Sequence, residues 1–75
     1  MPRRVALSYD WEEDRWCAVW ETKRYALHCG QSLEFCMGGR MVPCRLELSH
    51  DWYIITPESR FVLHRSERYA VNVAV

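Results

Sequence analysis

Two consecutive glycines, Gly38 and Gly39, set between two alternating apolar runs, constrain this chain more than any other feature. Glycine tolerates the positive φ angles that the central residues of a two-residue hairpin turn require. Such a turn fixes the register: Met37 stands opposite Arg40, and successive side chains fall on alternate faces. Leu33, Phe35 and Met37 then share one face with Val42, Cys44, Leu46 and Leu48. Glu34, Cys36, Met41, Pro43, Arg45 and Glu47 share the other. Turn chemistry and periodicity thus agree on one hairpin with one buried face. Pro43 has no N–H to donate, so the hairpin must hold it where a donor would point away from any ladder partner.

The same period-two reading extends in both directions. Val5–Tyr9 and Arg15–Trp20 form a hairpin around the acidic connection Asp10-Trp11-Glu12-Glu13-Asp14. Pairing Tyr9 with Arg15 gives Val5, Leu7, Cys17 and Val19 a common core face and puts Ala6, Ser8, Trp16, Ala18 and Trp20 on the other. After the central hairpin, Ser49-His50-Asp51 leads into Trp52–Thr56 as a third antiparallel strand. A turn of two or four residues there sends Tyr53 and Ile55 inward, and a turn of three sends Trp52 and Ile54 inward. Beyond the break at Pro57-Glu58-Ser59, Phe61–His64 and Tyr69–Val75 read as a last hairpin around Ser66-Glu67-Arg68, with Tyr69, Val71, Val73 and Val75 on one face. Lys23–Gln31 reads either as a short strand with a turn at Gly30 or as a single helical turn.

Short strands with turns every eight to twelve residues, in 75 residues, predict one all-β domain over residues 1–75. The expected architecture is a small SH3-like barrel of five to seven antiparallel strands, with an OB-like barrel as the alternative. An apolar content of 49% is enough for a core. Ten basic residues balance ten acidic ones, which argues against strong non-specific attraction to nucleic acid or anionic membrane. No apolar run is long enough to span a bilayer, and Met1-Pro2-Arg3-Arg4 leads straight into a strand pattern, so the chain reads as cytoplasmic with Cys17, Cys29, Cys36 and Cys44 as free thiols.

Catalytic and metal chemistry find little support. The cysteines form no Cys-x-x-Cys knuckle, and the hairpin register sends Cys36 and Cys44 to opposite faces, so no metal or other cofactor is expected. His28 and Cys29 are neighbours in sequence, which in a strand point apart and make no dyad. The expectation is therefore a non-enzymatic binding module. Its candidate surface begins with Trp16 and Trp20, which the Tyr9–Arg15 register places as a flat aromatic stripe over Ala6, Ala18 and Ser8. A second region combines Arg45 and Glu47 with Trp52 and Tyr53. There Arg40, Arg45, Arg60 and Arg65, if they converge, would face phosphates beside an aromatic platform. The plainer reading is an Arg45 pair with Glu47 or Asp51 that stabilises the hairpin.

Three elements also resemble a known family: Leu27, Cys29 and Gly30 as a Leu-x-Cys-Gly element; Arg45-Leu46-Glu47 closing a Gly-turn hairpin; and the Trp52-Tyr53 strand. Together they resemble a family of small bacterial proteins, mostly from Firmicutes and often carried on mobile elements, described only as a domain of unknown function. The resemblance implies no activity or substrate, and a setting as an accessory protein that acts by binding. A protein partner is the first expectation, nucleic acid the alternative. A structural homodimer joined through an edge strand such as Tyr69–Val75 is the third.

Overall fold

The computed structural model describes residues 2–74. Eight strands follow one another: β1 (Pro2–Asp10), β2 (Arg15–Trp20), β3 (Lys23–Ala26), β4 (Ser32–Met37), β5 (Arg40–Leu48), β6 (Trp52–Ile55), β7 (Arg60–Val62) and β8 (Tyr69–Ala74). All pairings are antiparallel, in one sheet of order β3-β2-β1-β8-β4-β5-β6-β7. The all-β expectation holds; closure into a barrel does not, because among the described residues no ladder joins β3 to β7. The strand count exceeds the expected five to seven because Lys23–Ala26, open between a strand and a helical turn in the sequence, forms a strand.

The glycine turn behaves as the chemistry of its residues requires. Gly38 and Gly39 have φ angles of 57° and 82°, and Met37 pairs with Arg40. Leu33, Phe35 and Leu46 are buried on the inner face, although Leu48 at the strand end is 46% exposed. Pro43 lies on the stretch of β5 that β6 does not reach, since that ladder runs from Arg45 to Leu48. The connection from Leu48 to Trp52 has three residues, which selects the second parity: Trp52 and Ile54 are buried and Tyr53 faces outward.

Two expectations are corrected. In the first hairpin Asp10, not Tyr9, pairs with Arg15, so Tyr9 pairs with Trp16 and Leu7 with Ala18. This one-residue slip turns Trp16 and Ala18 into the core, both fully buried, and turns Cys17 and Val19 to the opposite face. The C-terminal segment does not return against β7. Instead β8 inserts between β1 and β4, pairing with β1 from Pro2 to Leu7 and with β4 at Glu34 and Phe35. Tyr69, Val71 and Val73 do face the core together, and Val75 lies outside the described residues. β8 is therefore not the edge strand that the dimer expectation assumed, since Val71 and Asn72 are paired on both sides.

The sheet is strongly curled. Phe35 on β4 and Phe61 on β7 are separated by two intervening strands, roughly 14 Å in a flat sheet, yet their ring centroids are 5.5 Å apart. A chain of rings runs through the interior from Tyr9 and Trp16 through Tyr69 to Phe35 and Phe61. One end of the curl is closed by backbone outside the ladders. Leu27 N–H donates to Trp16 O on β2, and Gly30 N–H donates to Leu46 O on β5. The segment after β3 therefore crosses the end of the core, satisfying backbone groups as it goes.

Glu21, the first residue of the two-residue β2–β3 turn, has a φ of 56°. A positive φ at that residue is the pattern of a type II′ turn, where glycine is favoured because a Cβ crowds the backbone. Glu21→Gly is expected to stabilise the fold by about 1 kcal/mol and to raise Tm by about 4–8 °C. Thermal unfolding followed by circular dichroism measures this; an unchanged or lower Tm contradicts it.

Candidate interaction surface

The end of the sheet where β1 meets β2 also carries the β5–β6 turn and the chain leaving β7. Asp10 builds the first of these loops. Its Oδ1 accepts the backbone N–H groups of Glu12 (3.0 Å) and Glu13 (3.2 Å), and its Oδ2 accepts Arg24 Nη1 at 3.0 Å. The Glu13 N–H and the Arg24 guanidinium hold the Asp10 carboxyl below its ordinary pKa. The turn is thereby shaped by its first residue, and Trp11, Glu12 and Glu13 project into solvent. Trp11 is 68% exposed.

Tyr9 ties this turn to the loop after β7. Its hydroxyl donates to the Asp14 carboxylate. The Trp11 ring stands edge-on to it at 4.9 Å, and the Arg65 guanidinium lies 5.1 Å from its centroid. Contacts of an exposed guanidinium with an aromatic ring contribute about 0.5–1 kcal/mol each. The loop bearing Arg65 is itself held by Tyr69, whose hydroxyl accepts the His64 N–H at 3.0 Å. Arg65 also stands 4.0 Å from Asp51 of the β5–β6 turn.

Two shallow depressions adjoin here, of about 370 Å³ and about 400 Å³, and both are lined by Asp51 and Val62. The first runs over Tyr53, Arg60 and Phe61; the second lies between Trp11 and the His64–Ser66 loop. Val62 is 51% exposed, so an apolar side chain stands in the open where the two meet. Isolated exposed apolar groups are ordinary; a Trp and a Val on one concave surface, with guanidinium groups beside them, are the composition of interface anchors.

The six residues singled out in the sequence are not brought together. Trp16 lies in the core, and Trp20 is half-buried against it at the far end of β2, so there is no aromatic stripe. Trp52 is 7% exposed and faces inward, which removes it as a stacking platform. Arg45 and Glu47 share the outer face of β5 and pair with each other at 2.5 Å, the plainer of the two readings, while Asp51 is met by Arg65. Cys29 Sγ donates to the other Glu47 oxygen at 3.3 Å. Tyr53, opposite Glu47 and 5.7 Å from the Arg60 guanidinium, is the one of these six that lines the depressions, where it is joined by Arg60 and Arg65 of the arginine group but not by Arg40 or Arg45. Trp11 and Val62 were missed; the signal was a Trp in the middle of a five-residue acidic turn, a place no core side chain occupies.

The thiols add no second site. Burial pushes the Cys44 thiol up to about 11, and burial followed by the Asp10 charge raises that of Cys17, so both stay protonated and unreactive at neutral pH. Cys36 and Cys44 occupy opposite faces of the central hairpin. Among the described residues no group of three or more His, Cys, Asp or Glu is placed to hold a metal. Nor is any helix long and apolar enough to cross a membrane.

The fold and this surface define a small all-β domain with an exposed aromatic and charged face at one end of a curled sheet. The chain belongs to the family described as a domain of unknown function, DUF5348, whose model matches residues 5–73. No curated protein and no solved structure matches it.

Proposed function

We propose that the chain is a non-enzymatic protein-interaction module that receives its partner on the Trp11–Val62 surface. The setting proposed with it is that of a cytoplasmic accessory protein of a bacterial mobile element. The observation that carries the reading is the pair of exposed apolar side chains on adjoining depressions, flanked by Arg60, Arg65 and Asp51. Aromatic and arginine side chains dominate the energetics of protein interfaces because they desolvate large areas from few rotatable bonds. The nucleic-acid alternative is weaker, since Arg45 is neutralised by Glu47 and Arg40 sits at the opposite end of β5, so the four arginines do not converge on one face.

Affinity capture from a bacterial lysate, with and without nuclease, tests the reading when the wild type is compared with Trp11→Ala. A protein partner that survives nuclease and is retained about 30-fold less well by Trp11→Ala, a loss of about 2 kcal/mol, is the expected result. Trp11 lies outside the core and its edge contact with Tyr9 is worth about 1 kcal/mol, so Tm should fall by about 4–8 °C at most. Equal capture by the variant, or a partner that vanishes with nuclease, refutes the reading.

A further inference from the structure

The surface carries charge of both signs side by side. On one flank, Glu12 and Glu13 project from the β1–β2 turn, and their carboxylates have no partner among the described residues. On the other flank stand Arg60 and Arg65, with Val62 between them in sequence and all three exposed; Asp51 stands 4.0 Å from Arg65, both side chains open to solvent, so the guanidinium has room for a second carboxylate. Trp11 joins the flanks, since it precedes the two glutamates and lines the same depression as Arg65 and Val62.

Adjacent patches of opposite sign satisfy each other best when two copies meet antiparallel, each acidic turn over the other's basic loop. That arrangement is a two-fold, isologous contact, in which one patch is complementary to itself. The chain's formal net charge is zero, so no long-range repulsion opposes the approach of two copies. We propose that the occupant of this surface is a second copy of the chain, in a two-fold dimer that sets Glu13 against Arg65 and Trp11 against Val62 across the interface.

This inference rests on the interaction reading above and commits that surface to one occupant. The edge strands are poorer docking sites: β3 carries Lys23 and Arg24, a device that discourages edge pairing, and β7 is three residues long. A weak, transient dimer hides about 600 Å² per partner. That is roughly an eighth of the 5142 Å² the chain exposes, and the charged rim makes the association salt-sensitive.

Sedimentation equilibrium at low salt tests the proposal. The wild type is expected to reach twice the monomer mass in the micromolar range. Glu13→Arg and Arg65→Glu should each weaken association at least tenfold, by placing like charges across the two-fold. An equimolar mixture of these two variants should recover it, because a heterodimer restores both pairs. Circular dichroism verifies that each variant is folded; should Arg65→Glu fail to fold through loss of its Tyr9 contact, Trp11→Ala takes its place and should dissociate the dimer alone. A wild type that stays monomeric at millimolar concentration, or single variants that dimerise undiminished, or a mixture without recovery, overturns the proposal. If the wild type is monomeric while capture of another protein still depends on Trp11, the dimer falls and the interaction reading stands.

Discussion

Replacing Trp16 by alanine is expected to remove a large share of the fold's stability. The side chain is fully buried and packs edge-on to Tyr9 at 5.4 Å and against Tyr69 at 5.9 Å. Removing a buried Trp costs about 3–5 kcal/mol through lost transfer energy and the cavity left behind. A domain of this length has about 4–11 kcal/mol in total, so one substitution consumes a large share of it. Trp16→Phe separates the ring from its N–H. Among the described residues Trp16 Nε1 is buried without a hydrogen-bond partner, and an unpaired buried donor itself costs about 1–3 kcal/mol. The phenylalanine variant therefore loses packing volume and sheds that penalty, and should fall within about 1 kcal/mol of the wild type. Urea unfolding of both variants decides the matter; a solvent-facing Trp16 would leave the two indistinguishable from wild type.

Phe35→Ala should produce a loss of similar size, about 3–5 kcal/mol, with a local signature that Trp16→Ala lacks. Phe35 is 4% exposed and touches both Tyr69 on β8 and Phe61 on β7. It thus clasps the far edge of the curl, where β7 has three residues and one ladder neighbour. With the ring gone, amide exchange in Phe61 and Val62 should accelerate beyond what global destabilisation accounts for. The depressions along β7 would lose their shape in step, coupling a core substitution to partner binding. Uniform acceleration across all strands would show that the clasp is elsewhere.

How far the fold was legible depended on whether parity was pinned. Gly38-Gly39 demands a two-residue turn, and that alone set every side chain from Leu33 to Leu46 on the correct face. The acidic β1–β2 connection has no such residue pair, so nothing in the turn itself ruled out the expected Tyr9–Arg15 end pair. The opposite charges of Asp10 and Arg15 favour these two as a cross-strand pair, and that pairing is the one observed. The slip carried Trp16 to the wrong face and hid the surface at the turn, because a loop read as solvated carboxylates drew no attention to Trp11. The place of β8 was beyond local reading. The turn in this segment is centred on Arg65-Ser66, with Glu67 N–H donating to His64 O, and not on the expected Ser66-Glu67-Arg68; no local rule says which distant strand the chain joins afterwards.

The position of β8 has a consequence for the order of events in synthesis. β1–β3 and β4–β7 are each a meander of neighbours in sequence, which can pair as soon as they are made. Residues 69–74 are the ladder between them. Until these are made, the two half-sheets share no ladder, their backbone link being the crossing segment's bonds to Trp16 and Leu46, and the apolar faces of Val5, Leu7, Leu33 and Phe35 lack the cover of Val71 and Val73. The nascent chain therefore passes through a stage with two open edges and an exposed interior. Its exposure to misassociation should last until residues 69–74 are made and in place.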